Sequence, residues 1–228
     1  PAEARTFGPD RAEISVGEER PAWPARPPTL PKHVPARVPA SGVIPIEGIR
    51  ATVGEVMEIG PRLDLLRKVD VSGLGEALHA FLAADDPTLP RDARSGMATG
   101  LMERFGVVAA VDPAALVARS DSLREVLSKR YKVLSWRTEW PLQVRVGPQI
   151  LTGWADLVVE TPDGWVVVDH KSFPGPRDQW EAEALSYAPQ LAAYSLALER
   201  ATSKRVLATW VHFVVGGALS GVRIEAGR

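Results

Sequence analysis

Two acidic residues interrupt stretches that are otherwise built for an apolar strand. Asp156 sits inside WADLVVE, and thirteen residues later Asp169 closes the apolar run WVVVDHK, with Lys171 two positions further on. Carboxylates brought together by neighbouring strands are costly unless a cation or a proton is shared between them. Alternation along a strand puts Asp169 and Lys171 on one face and His170 on the other, so an acid and an ammonium are offered to the same space. The Asp pair could hold a divalent cation through hard oxygen ligands. Lys171 could orient or help deprotonate an attacking water, or offset phosphate charge in a transition state. That is the chemistry of metal-assisted phosphodiester hydrolysis. D-x-K is a short pattern, however. An ordinary Asp169–Lys171 salt bridge at a strand end, with Asp156 accepting backbone hydrogen bonds at a turn, accounts for the same residues.

The elements that must position these groups follow from hydrophobic period. KVLSWRTEWPLQVRV, QILTGWADLVVET and, after the Pro162-Asp163-Gly164 turn, WVVVDHKSF read as three neighbouring strands. Ahead of them, SGLGEALHAFLAAD places Leu74, Leu78, Phe81 and Leu82 at helical spacing behind a Ser72 cap, and carries His79. Two further helices are expected over Gly96 to Phe105 and Pro113 to Tyr131. Arg124, Lys129, Arg130 and Lys132 crowd the end of the second, as suits a helix dipole or a phosphate site. The segment from Glu181 to Arg200 is helical, with Pro189 either kinking it or opening a fresh helix. RVLATWVHFVV and ALSGVRIE close the chain as a strand pair. The stretch TVGEVMEIGPRLDLL from Thr52 has no clear period. Helices, three strands, a helix and two strands make a mixed α/β domain with meander-like connections at its start.

Composition narrows the function from the other side. Among 228 residues, 27 basic against 28 acidic side chains exclude a wholly basic nucleic-acid binder but leave room for a local patch. Zero cysteines remove disulfides, thiol nucleophiles, cysteine-bound zinc and iron–sulfur clusters, which makes a hard cation the default metal. No run approaches eighteen apolar residues and no basic segment precedes an apolar stretch, so a cytoplasmic location with no membrane is expected. Ten of the 20 prolines fall within the first 45 positions. Residues 1–50 are therefore expected to be a proline-rich linker or N-terminal arm, either a connector to a neighbour or a tail wrapping its own domain, with one folded domain over 51–228.

Five segments together resemble a known group, the RecB-like nuclease domains of the PD-(D/E)XK superfamily, as fused to or associated with UvrD-, RecB- and AddA-type superfamily 1 helicases. They are GEALHAF around Gly75 and His79, TEWPL around Glu139, GWADLVVE around Gly153 and Asp156, VVVDHKSF around Asp169 and Lys171, and QLAAY from Gln190 to Tyr194. The resemblance spans roughly residues 72 to 215 in the family's order. It implies a restriction-endonuclease-like α/β mixed-sheet core with an N-terminal helical lobe. It also implies a Mg2+ or Mn2+ site formed by His79, Asp156, Asp169 and the backbone carbonyl of His170, with Asp156, Asp169 and Lys171 catalytic. Gln190 and Tyr194 match a Gln-x-x-x-Tyr helix motif that contacts substrate or supports the site; four residues apart, they share a helix face. Glu139 is expected to support the site from behind the metal ligands. Gly153 is read as a point of close backbone approach or a simple bulge.

The resemblance further implies a DNA nuclease, exonucleolytic on single-stranded ends or flaps, working with a superfamily 1 helicase in repair or recombination and without the iron–sulfur cluster of some relatives. A structure-selective endonuclease and a catalytically weak DNA-binding or docking module are the alternatives. Position 170 carries His where an aromatic such as Tyr is common in the family, which leaves its carbonyl contribution intact. Trp136, Trp140, Trp154, Trp165 and Trp180 read mainly as core. Trp180, in the polar segment PRDQWEAE, is the best candidate for stacking on an unpaired base.

Overall fold

The period-two runs pair into one seven-stranded sheet flanked by five helices, as seen in a computed structural model that describes residues 37–39, 49–66, 70–147 and 149–226. In chain order the elements are β1 (Arg37–Pro39), β2 (Ile49–Glu58), α1 (Val71–Ala84), α2 (Arg91–Arg104), α3 (Pro113–Arg130), β3 (Ser135–Val146), β4 (Gln149–Thr161), β5 (Gly164–Lys171), α4 (Trp180–Ser186), α5 (Ala188–Thr202), β6 (Val206–Phe213) and β7 (Ala218–Ala226). The sheet order is β1-β4-β5-β6-β7-β2, with β3 also paired to β4. The expected meander is present: β3, β4 and β5 pair antiparallel in turn, and β6 and β7 close antiparallel. The β5–β6 pair is parallel, because the chain crosses over through α4 and α5 between them. This is the mixed-sheet, restriction-endonuclease-like α/β core with flanking helices.

β5 is apolar from Trp165 to Val168 because it is covered on both faces. Val167 packs under α5 with Leu191, Tyr194 and Leu198, while Val166 and Val168 pack under α3 with Leu123 and Leu127. A third cluster holds α1, α2 and α3 together through Leu74, Leu78, Phe81, Met102 and Leu116. Phe81 and Leu78 are fully buried, each contributing about 1.5–3 kcal/mol by leaving water. The sheet therefore has an α5 face and an α3 face, and period two assigns Asp169 and Lys171 to the first and His170 to the second.

Local details revise several sequence expectations. Asp70, not Ser72, caps α1, accepting from Gly73 N at 2.8 Å. α2 begins at Arg91, five residues before the expected Gly96, and its Arg94 is buried between Asp85 and Asp121. Pro189 opens a fresh helix: α4 ends at Ser186, Tyr187 links the two, and the proline falls in the first turn of α5, where no amide partner is required. The residues from Thr52, without clear period in sequence, form most of β2, which pairs with β7 across a register shift between Val53 and Val56. Of the basic cluster ending α3, Arg124 lies over the Trp136 ring, Lys129 pairs with Glu125, and Arg130 pairs with Glu55 and lies over Trp210. Arg124 and Arg130 thus link α3 to the sheet, while Lys129 pairs within its own helix. Gly217 has φ +79, and a Cβ there would sit 2.4 Å from Gly60 O, so the β6–β7 turn requires glycine. Of the proline-rich segment, only residues 37–39 are described before β2; they pair parallel with Ile150–Thr152 of β4. The rest of the expected arm lies outside the described residues.

Candidate active site

The site forms where two strands stop pairing. The β4–β5 ladder runs from Thr161–Gly164 to Leu157–Val168, and the next opposed positions are Asp156 and Asp169. On the same side of β4, β1 takes Ile150 to Thr152, which leaves Gly153 to Asp156 between two partners. Gly153 itself pairs with Leu142 in unbroken β3–β4 register, so it is not a bulge. Of the side chains at this break, Asp156 lines an open groove, while Asp169 is enclosed beside it.

Asp169 is 1% exposed. Its Oδ1 accepts from Gln190 Nε2 at 3.1 Å, and its Oδ2 lies 2.7 Å from Lys171 Nζ. Oδ2 is fully enclosed, and the Lys171 ammonium is its contact. Burial first, and the Asp156 charge second, push the Asp169 carboxyl up to about 6 against the pull of Lys171. Asp156 Oδ2 accepts from the backbone N–H of His170 at 2.6 Å and lies 3.5 Å from His79 Nδ1. Burial opposes ionisation of Asp156, but the His79 contact and the charges of His79, His170 and Lys171 prevail and hold its carboxyl below the ordinary range. The two carboxylates are thus differentiated by their surroundings, one ionised readily and one reluctantly.

α1 delivers His79 because Gly75, one turn earlier on the same face, lets the helix lie against the end of β5. A Cβ on Gly75 would come within 3.2 Å of Ser172 Oγ. Burial disfavours the His79 imidazolium, but the hydrogen bond and charge of Asp156 outweigh it and raise its value.

Glu139 lies opposite Asp156 in the β3–β4 register, between the Thr138–Leu157 and Trp140–Ala155 pairs. Its φ of 48 is left-handed, a conformation that costs a non-glycine residue about 1–2 kcal/mol. Its carboxyl is raised, first by partial burial and then by Asp156, with His79 opposing. Strained backbone beside a carboxylate pair is a common mark of a functional position.

On α5, Gln190 Nε2 also lies 2.9 Å from Tyr194 OH, so the pair expected to share a helix face does so and reaches Asp169 through the amide. The His170 ring points away from this face. Its Nδ1 lies 3.1 Å from His212 Nδ1 in full burial, which forces opposite tautomers on two neutral rings. Burial keeps both rings below their ordinary value, His170 at about 4. The His170 side chain is thus part of the packing, and what it offers the site is backbone.

Two residues of the site were not singled out by sequence. The Tyr187 ring lies 4.4 Å under Lys171 Nζ, a cation–π contact that fixes the ammonium, while its hydroxyl donates to Glu183 Oε1 at 2.6 Å. Its spacing of three from Gln190 was the available signal, hidden by the helix break between them. Trp154, 60% exposed, stands two residues before Asp156 on the same face of β4. It walls two grooves. One, of roughly 600 Å³, is lined among others by Gln143, Thr152, Gln190 and Tyr194; the other, of roughly 480 Å³, by Glu76, His79, Glu139 and Asp156. Trp180, by contrast, is 5% exposed and stacks on Phe213 with ring centroids 5.8 Å apart, so it is core and cannot meet a base.

An imidazole and two carboxylates are a chemically suitable donor set for a hard divalent cation. Among the described residues, no three His, Asp or Glu side chains are gathered closely enough to form a finished cage. No helix of the described residues is long and apolar enough to cross a membrane.

A mixed sheet whose parting strands bring two carboxylates and a lysine to one break, beside a helix that adds an imidazole, defines a restriction-endonuclease-like protein. The family model described as the PD-(D/E)XK nuclease superfamily matches residues 55–222, and the chain belongs to that superfamily. Its members generally use divalent metal ions. No curated protein matches the chain.

Proposed function

We propose that this chain is a divalent-metal-dependent deoxyribonuclease, with Asp156, Asp169 and Lys171 as its catalytic residues. The observation that carries the reading is the convergence of Asp156, Asp169 and Lys171 at the β4–β5 break, with His79 3.5 Å from Asp156. His79, Asp156, Asp169 and the His170 carbonyl would hold Mg2+ or Mn2+, which supplies an activated water and stabilises charge developing on the phosphate.

The chain's own residues do the rest. The His170 N–H donates to Asp156, and Asp169 is held through Oδ1 by Gln190 and through Oδ2 by Lys171. Lys171, steadied by the Tyr187 ring, brings one positive charge beside the reacting phosphate and can orient the attacking water. Glu139 shapes the field around Asp156 and His79 from the opposite strand.

The RecB-like subtype, with exonucleolytic action on single-stranded DNA ends or flaps beside a superfamily 1 helicase, is supported by the five sequence segments and their order. A net charge of -1 supports a partner that holds the DNA. The same reading takes residues 1–50 as a tether and 51–228 as the nuclease domain of a cytoplasmic repair or recombination enzyme. Labelled single- and double-stranded DNA incubated with Mg2+ or Mn2+ tests it. Wild type should degrade substrate in a metal-dependent way, and Asp169→Ala and Lys171→Ala should each lose roughly 10²–10³-fold. No metal-dependent cleavage, or cleavage by both variants at the wild-type rate, would replace the reading with a docking module.

A further inference from the structure

We propose that Trp154 is the platform on which an unpaired nucleobase stacks beside the reacting phosphate, making single-stranded nucleic acid the substrate class of this site. The inference rests on the nuclease reading above and deepens it. Trp154 is the most exposed of the tryptophans among the described residues: Trp165, Trp180 and Trp210 are buried, and Trp136 and Trp140 are half-covered beneath Arg124 and Arg137. The Trp154 indole is left 60% open to water on a rigid strand, and among the described residues it is the one that lines both grooves, the second of which reaches Asp156.

The two grooves differ in chemistry. The one running past Glu76, His79, Glu139 and Asp156 is acidic, suited to cations and to a phosphate only once cations are bound. The one running past Pro39, Pro141, Leu142, Gln143, Thr152, Gln190 and Tyr194 has no charged residue in its lining. A phosphate would find no counter-charge there. A neutral, flat, hydrogen-bonding ring would find an aromatic face, two prolines and the amides of Gln143 and Gln190, a combination that fits a base.

Position fixes which base. Trp154 and Asp156 are alternate residues of one strand face, about 7 Å apart along β4. The base on the indole therefore belongs to a nucleotide next to the one whose phosphate lies at Asp156 and Asp169. A base inside a duplex keeps both faces covered by its neighbours, so stacking on Trp154 demands a single strand or a frayed end.

The test uses the full chain carrying Asp169→Asn, so that strands bind without being cut, and measures affinity for fluorescein-labelled single-stranded DNA, single-stranded RNA and blunt duplex by anisotropy. Trp154→Ala should weaken single-strand binding roughly 5- to 150-fold, with a much smaller change on duplex, and Trp154→Phe should restore most of the loss. DNA and RNA arms separate the two sources of an unpaired base, and a loss on either supports the subsite. Equal losses on single strand and duplex, no loss, or a Phe variant as weak as Ala would overturn it. A wild-type chain that neither binds nor cuts nucleic acid would overturn the nuclease reading itself. One that cuts single strands with the same KM as Trp154→Ala would overturn this inference alone.

Discussion

Replacing Asp169 with Asn should stabilise the metal-free protein while removing its activity. The carboxyl is 1% exposed and pushed from its ordinary 3.8 to about 6, by burial first and the Asp156 charge second. An acid whose folded-state value lies above its unfolded one keeps its proton longer when folded. The associated stability is therefore fully present below about pH 4 and is lost as the pH climbs through about 6. A rise of about two units corresponds to about 3 kcal/mol by pH 7.5. The amide of Asn keeps an oxygen for Gln190 Nε2 and carries no charge beside Asp156. The value of about 6 already includes the attraction of Lys171, 19% exposed, so nothing further is subtracted for it. The expected gain is about 3 kcal/mol, or roughly 6–12 °C in melting temperature for a chain of this size. Thermal melts by circular dichroism in EDTA across pH 4 to 8 measure it. Wild type should lose stability from about pH 4 to 6, the variant should lose much less, and their curves should separate above pH 6. Saturating Mg2+ should narrow the gap by stabilising wild type more than the variant. If Asp169→Asn melts lower than wild type in EDTA at pH 7.5, the carboxylate pair is not a store of repulsion and the electrostatic account of the site fails.

Substitutions at two further positions probe the surrounding frame. Glu139→Gly and Glu139→Ala both remove the carboxylate, but only Gly accepts φ 48 without a Cβ penalty, so the Gly variant should be about 1 kcal/mol more stable in urea denaturation. Equal midpoints would mean that β3 relaxes at this point once the side chain is gone. Arg94, 3% exposed, forks onto Asp85 at 2.7 Å through Nε and Nη2 and reaches Asp121. Arg94→Ala leaves the fully buried Asp85 unpaired and should cost about 3–5 kcal/mol. A loss under 1 kcal/mol would show that water or another cation replaces the arginine.

Much of the site was legible because strand period and residue type carry local information. Asp156, Asp169 and Lys171 stood out as charges in apolar strands, and the shared face of Asp169 and Lys171 follows from period two alone. His79, Gln190 and Tyr194 needed the order of five segments as well, since a helix histidine or a Gln-x-x-x-Tyr spacing is common in amphipathic helices. β2 escaped because Gly54 and a bulge blur its alternation and its partner β7 lies at the far end of the chain. Trp180 was misjudged because its sequence neighbours Arg177, Asp178, Glu181 and Glu183 are charged, whereas its burial comes from Phe213, a residue of a distant strand.

The sequence by itself determined which residues carry charge into apolar strands, which faces they share, and the class of chemistry they permit. Those properties depend on spacing within a few residues, and backbone geometry turns spacing into direction. Only the tertiary structure decided that β4 and β5 part at the two aspartates, that Gln190 rather than solvent holds Asp169, that Tyr187 lies under Lys171, and that Trp154 rather than Trp180 faces the grooves. Each of those depends on contacts between elements far apart in the chain. Burial and neighbouring charge, which set the unequal ionisation of Asp156 and Asp169, exist only once the sheet and its helices have closed around them.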